Sequence, residues 1–121
     1  MAVAAVNLVI EKGTDFTTTF NIFGSDNGPV TLSNYEGISK VRKHPTSLKS
    51  KSFDVEVIID NPAEQSVKIS MSGADTSELT SGRNYFDVFL RDTNTGYTFK
   101  VVEGTIIAND SASLWTNTKY K

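Results

Sequence analysis

The chain has 121 residues, 38% of them hydrophobic and 21% charged, with a formal net charge of -2 at pH 7 and no cysteine. That length and apolar content suit one globular domain with its own core and argue against a disordered chain. The missing cysteines exclude disulfides, thiolate zinc sites and cysteine nucleophiles, and the charge balance gives no long-range pull toward nucleic acid or acidic membranes.

The segment Met1–Val6 is apolar, but it has no basic flank and is followed by Asn7, Glu11 and Lys12, so it is not read as a signal peptide. No apolar run approaches the length of a membrane span. The protein is therefore expected to be soluble and made in a cytoplasm. Residues 1–6 are taken as an N-terminal arm. Asn7 to Ile10 reads as a short strand, broken by Glu11-Lys12-Gly13-Thr14. Phe16, Thr18, Phe20 and Ile22 then alternate with polar residues, a period-two pattern rich in strand formers. Gly24 to Pro29 is a turn cluster, and Val30 and Leu32 form a very short strand or bridge.

Tyr35 to Lys43 reads as the next strand, with Tyr35, Gly37, Ser39 and Val41 on one face. The small residues on that face predict another element packed closely over it. His44 to Ser52 is a polar loop. Phe53 to Asp60 and Ser66 to Met71 both alternate, and the turn at Asn61-Pro62-Ala63-Glu64 makes them a hairpin. Ser72 to Gly82 is where a helical turn fits, with Asp75 or Thr76 as cap, Leu79 pointing inward and Gly82 as its end. Gly82 to Arg91 holds the densest apolar run. Phe86, Val88 and Leu90 share the parity expected to face the core, while Tyr85 and Phe89 share a half-covered face with Asp87 and Arg91. A hairpin turn at Asp92-Thr93-Asn94-Thr95-Gly96 leads into a long last strand, Tyr97 to Ala108. Its apolar residues change parity, which predicts a β-bulge near Gly104. Asn109 to Lys121 is a polar tail carrying Leu114, Trp115 and Tyr120.

The pattern gives about seven to eight short strands with turn signals every 8–12 residues or so, and no helical period long enough for a parallel α/β fold. The expected fold is all-β: a single antiparallel β-sandwich over residues 7–110, flanked by arms at 1–6 and 111–121.

Several local patterns coincide in order: Ile10-Glu11-Lys12-Gly13-Thr14-Asp15-Phe16, Val30-Thr31-Leu32-Ser33-Asn34-Tyr35, Lys40-Val41-Arg42-Lys43, Leu79-x-x-Gly82-Arg83-Asn84-Tyr85-Phe86-Asp87-Val88, and Val102-Glu103-Gly104-Thr105. Together they resemble the immunoglobulin-like domain of small tailed-phage structural proteins, similar to the N-terminal domain of baseplate upper proteins and to stand-alone virion proteins of myophages. The resemblance covers roughly residues 7 to 110. It implies an immunoglobulin-like sandwich, a virion location, a non-enzymatic role and action by protein–protein contact. It also raises a tyrosine corner, a Tyr85 hydroxyl bonded back to the preceding loop, as one of two open outcomes, because Asp87 places the opposite parity in the core.

The chemistry-bearing residues point away from catalysis. His44 is the only histidine and sits beside Pro45 in a loop, with no nucleophile elbow or cysteine to serve. Asp92-x-Asn94-x-Gly96 has a calcium-loop flavour, but Tyr97 occupies the required glycine position and a hairpin explains the residues. Asp54 and Glu56 read as surface carboxylates beside Lys68 rather than an acid–base pair. Asn109-Asp110-Ser111 is a sequon with no secretory context. No catalytic, cofactor-binding or metal-binding residue is expected, and neither nucleic acid nor membrane is expected as a partner.

Two features fit docking. Lys40, Arg42, Lys43, His44, Lys49 and Lys51 form a basic cluster with no acid between Gly37 and Phe53. It reads either as a solvated edge and loop or as a patch for an acidic partner protein. Leu114, Trp115 and Tyr120 lie beyond the last strand, where they either fold back or anchor on a neighbour. The partner-binding candidates are thus Lys40, Arg42, Lys43, Lys49, Lys51, Leu114, Trp115 and Tyr120. Other virion proteins of capsid, baseplate or tail are the expected partners in a multi-copy assembly. The competing reading is a carbohydrate-binding or adhesin-type module, for which Tyr35, Tyr85 and Tyr97 are the candidate platforms.

Overall fold

The structure is a computed structural model that describes residues 3–23, 31–60 and 65–113, together with the backbone of 115–116 and 119–120. It is all-β. The strands are β1 (Ala4–Glu11), β2 (Phe16–Asn21), β3 (Tyr35–Arg42), β4 (Lys51–Ile58), β5 (Ser66–Met71), β6 (Gly82–Asp92) and β7 (Thr98–Asn109), with one helical turn, α1 (Gly73–Thr76), between β5 and β6. They form one sheet in the order β1-β7-β6-β3-β4-β5-β2.

β4 is where the sheet folds over on itself. Its first residues pair with β3, Phe53 opposite Ser39 and Lys51 opposite Val41. From Asp54 to Ile58 it pairs instead with β5, which confirms the expected hairpin. One layer is therefore β1-β7-β6-β3, and the other is β4-β5-β2. Strands two and five share a layer opposite strands three, six and seven, the division an immunoglobulin-like sandwich makes. Phe53 joins the layers, its ring 6.0 Å from Phe16 on β2 and 6.3 Å from Phe86 on β6, edge-on to the latter.

The central strand is β6. Asn84, Phe86, Val88 and Leu90 are buried, and Tyr85, Asp87 and Phe89 between them are half-buried. Full burial of each large aliphatic side chain stabilises by about 1.5–3 kcal/mol. Val67, Ile69 and Met71 of β5 in the other layer and Val101, Val102 and Ile106 of neighbouring β7 join them in one continuous cluster. Gly37 of β3 explains why that face carries small residues. A Cβ there would lie 2.4 Å from Val55 Cγ1 and 3.2 Å from Leu90 Cδ2, so the second layer packs directly over the strand.

Three local expectations are corrected, and one open outcome is decided. The first strand begins at Ala4, before Asn7, and runs parallel to β7 with Ala4 opposite Val102 and Glu11 opposite Asn109, so the sandwich is not purely antiparallel. The bulge is at Val101, not Gly104: Val88 pairs with Val102 and Phe89 with Lys100. The extra residue lets Val101 and Val102 both point inward, which was the reason for expecting a bulge. Gly104 has a different task, because a Cβ there would fall 1.7 Å from the Val6 carbonyl oxygen. Only a residue without a side chain lets β1 lie so close to β7.

The cap of α1 is Ser72, whose Oγ accepts from the Asp75 amide at 3.3 Å, and Gly82 opens β6 rather than ending the helix. Leu79 points inward as expected. Finally, Asn84 rather than Tyr85 ties β6 to the preceding loop. Its buried side chain donates to the Thr80 carbonyl at 2.8 Å and the Gly82 carbonyl at 3.2 Å, and no bond of the Tyr85 hydroxyl is found among the described residues.

The tail contributes a two-residue ladder, β8 (Trp115–Thr116) with β9 (Lys119–Tyr120), in which Trp115 lies opposite Tyr120 along the backbone.

Candidate functional site

The outer face of the β1-β7-β6-β3 layer is the most site-like surface among the described residues. Strand register builds it. Ile38 lies opposite Phe89, Lys40 opposite Asp87, and Arg42 opposite Tyr85 across β3 and β6. On the other side of β6, Asp87 lies opposite Glu103, Phe89 opposite Lys100, and Tyr85 opposite Thr105. Asn7 and Ala5 of β1 complete the row, with Thr105 Oγ1 donating to Asn7 Oδ1 at 2.6 Å. Together with Pro45 these side chains border a groove of about 630 Å3.

The groove mixes apolar floor and charged walls. Ile38 is 56% exposed although it sits mid-strand. The Phe89 ring lies beneath the Lys100 ammonium, 5.7 Å from its centroid, and Lys100 also reaches Glu103 Oε1 at 3.2 Å. Asp87 lies among these charges as a perturbed carboxylate. Partial burial raises its pKa above the ordinary value, Lys100 and Arg42 oppose that rise, and Glu103 directly across the ladder adds to it.

The basic cluster does not act as one patch. Strand parity sends Lys40 and Arg42 to the groove, while Lys43 lies on the other side, donating to the Ser81 carbonyl at 3.3 Å. Arg42 is committed to the loop that follows it. Its guanidinium donates to the Ser47 carbonyl at 2.6 Å, and the His44–Ser47 turn closes beneath. Lys51 is neutralised locally by Glu78 and by Asp75 at 3.5 Å, and the Glu78 hydrogen bond raises its pKa. Lys49 is exposed on the loop, beside Leu48, which is 98% exposed; both border a second hollow of about 780 Å3 between the loop and the Glu78–Thr80 segment. Leu114 lies outside the described residues, as do the side chains of Trp115 and Tyr120.

The remaining candidates fall where their chemistry is ordinary. His44 is exposed in its turn. Asp92 caps the β6–β7 hairpin, accepting from the Asn94 amide at 2.8 Å. Glu56 pairs with Lys68 across the β4–β5 ladder at 3.4 Å. Tyr85 belongs to the groove, whereas Tyr35 and Tyr97 gather with Phe99 at the end of the sandwich, at centroid distances of 6.2 and 4.7 Å from it. The residues of the Lys12–Asp15 turn are structural. The Gly13 amide donates to buried Thr76 Oγ1 at 3.0 Å, and that hydroxyl donates to the Thr14 carbonyl at 2.8 Å. Asp15 accepts from the Gly73 amide at 2.7 Å, and Lys12 pairs with Asp110 at 3.3 Å.

Reading parity alone put Tyr85, Phe89, Asp87 and Arg91 on one face but missed Ile38, Lys100, Glu103 and Asn7 as their neighbours. Pairing the outward parity of β3 with that of β6 and β7 was the available signal.

No family model matches the chain, and no curated protein matches its sequence. Among solved structures it is similar to a family 123 glycoside hydrolase from Clostridium perfringens, with a TM-score of 0.38 and 10% identity over 90% of this chain. The match spans 24% of that protein's length, and a likeness so distant carries nothing about activity here.

Proposed function

We propose that this chain is a non-enzymatic structural protein of a tailed-phage virion, docking on other virion proteins as a capsid decoration protein or as a baseplate or tail adaptor. The family resemblance of its ordered motifs is the source of the virion assignment. The observation that carries the docking role is the outer face of β1-β7-β6-β3, uncovered among the described residues, where exposed Ile38 and half-buried Tyr85 and Phe89 lie between Lys40, Lys100, Asp87 and Glu103. A protein interface has this composition: aromatic and aliphatic anchors at the centre, charges at the rim. The partner surface would be apolar with acidic groups placed for Lys40 and Lys100.

Incorporation into particles tests the reading. Ile38→Asp and Lys40→Glu should each lower the copy number in purified virions while leaving the melting temperature nearly unchanged, and the Lys40 effect should shrink as salt rises. Arg42 is a poorer probe because its removal also loosens the 44–48 loop. Wild-type incorporation of both variants would refute the docking face. A glycan-binding reading draws on the same groove, since Tyr85 and Phe89 could stack on a sugar ring beside Asp87 and Glu103. Saturable binding on a glycan array, lost in Tyr85→Ala, would favour that reading over the virion one.

A further inference from the structure

The two edges of the sheet are β1 and β2, and they differ in what they offer. A strand edge exposes a row of unpaired amides and carbonyls, and proteins ordinarily guard it with charge, proline or bulges. Along β1 every residue from Ala4 to Ile10 is uncharged, none is proline, and among the described residues no strand pairs on its outer side. On the solvent face of that strand Val9 is 58% exposed, with Asn7 and Ala5 beside it. The same face of β2 presents Thr17, Thr19 and Asn21, which water satisfies.

We infer that β1 is a self-docking edge at which a second copy of this chain adds, β1 antiparallel to β1 about a two-fold axis at Asn7. The occupant follows from self-complementarity. In that register Ala5 of each copy faces Val9 of the other, Ala4 faces Ile10, and Val6 faces Leu8, so a small residue meets a large one at the outer pairs. Glu11 faces Val3 and meets no like charge. Asn7 meets Asn7 on the axis. Thr105 already holds the Asn7 side-chain oxygen at 2.6 Å, which turns the amide NH2 toward the partner, where it can donate to the second lone pair of the opposite oxygen. The tight seat of β1 on Gly104 makes the edge rigid before contact. Pairing also sets the two outer-face grooves side by side in one continuous sheet.

Edge pairing alone buries little surface, so it belongs with weak contacts that strengthen when copies are held near one another. The inference is independent of the virion assignment. Analytical ultracentrifugation of the full chain over a concentration series should show a reversible monomer–dimer equilibrium. Like charges directly opposite each other across a ladder are destabilising. Asn7→Lys and Asn7→Glu should therefore each be monomeric alone, and an equimolar mixture should dimerise again. Val9→Lys should weaken the dimer, and Thr19→Lys on β2 should leave it intact, with circular dichroism confirming that each variant is folded. If the Asn7 variants fail to fold, Val9→Lys against Thr19→Lys decides. A wild-type chain that stays monomeric at its highest soluble concentration overturns the inference. So does a mixture of the Asn7 variants that stays monomeric, or a dimer that Thr19→Lys abolishes.

Discussion

Gly104→Ala isolates the close seat of β1 on β7. The added Cβ would fall 1.7 Å from the Val6 carbonyl oxygen and 2.8 Å from its carbon. The obstacle is backbone, so no side-chain rotation relieves it. Where a glycine is unobstructed, replacement by alanine is neutral or stabilises by about 0.4–1 kcal/mol through the unfolded chain. Here β1 must lift instead. A local shift carries the cost of overpacking, about 1–3 kcal/mol. Release of the strand would expose Ile10, now 1% accessible, at a cost of about 1.5–3 kcal/mol for that side chain alone. The expected loss is therefore about 1–3 kcal/mol. At about 4 °C per kcal/mol for a domain of this size, the midpoint falls by roughly 4–12 °C. Thermal unfolding by circular dichroism reads the first quantity, and amide exchange along Ala4–Ile10 reads the second. A melting temperature at or above wild type with β1 protection unchanged would mean that the strand does not lie against Gly104, and the argument would fail.

Other perturbations follow from the same packing. Phe86→Ala should cost about 3–5 kcal/mol, because it removes a buried ring and the edge contact with Phe53; a chemical-denaturation loss under 1 kcal/mol or so would contradict its place in the core. Asn84→Ala should cost about 1–3 kcal/mol by stripping the Thr80 and Gly82 carbonyls of a buried donor, while Tyr85→Phe should be nearly silent; the reverse order would restore the tyrosine corner. Asp87 has a raised folded pKa, so it destabilises the fold as pH climbs through the interval from its unfolded value near 3.8 to that raised value. Asp87→Asn should therefore increase stability at neutral pH and change little in acid, and equal effects at both pH values would remove burial as the cause.

How far the sequence could be read depended on the range of the physics. Alternation is local, so the core stripe of Phe86, Val88 and Leu90, the β4–β5 hairpin and the Asp92–Gly96 turn were legible. The small face of Gly37 and Ser39 also announced the close layer above it. The bulge was legible as a need, and parity also held its place. Phe99 and Val101 on one parity and Val102 and Ile106 on the other change over between adjacent residues, 101 and 102, but the glycine at 104 drew the expected bulge away from there. The parallel pairing of β1 with β7 joins residues almost a chain length apart, and no local pattern specifies it. The basic cluster looked continuous because its residues are adjacent in sequence, yet parity divides Arg42 from Lys43, and Glu78 captures Lys51 from another element. The groove was invisible for the complementary reason: Ile38, Asp87 and Glu103 are distant in sequence and meet only through register.

Cryo-EM of purified virions bears on whether the outer face of β1-β7-β6-β3 is a docking surface. The proposal predicts copies of this sandwich in the particle, with Ile38, Tyr85 and Phe89 packed against a different virion protein and Lys40 near its acidic groups. Particles lacking the chain, or holding it with that face open to solvent, would contradict it.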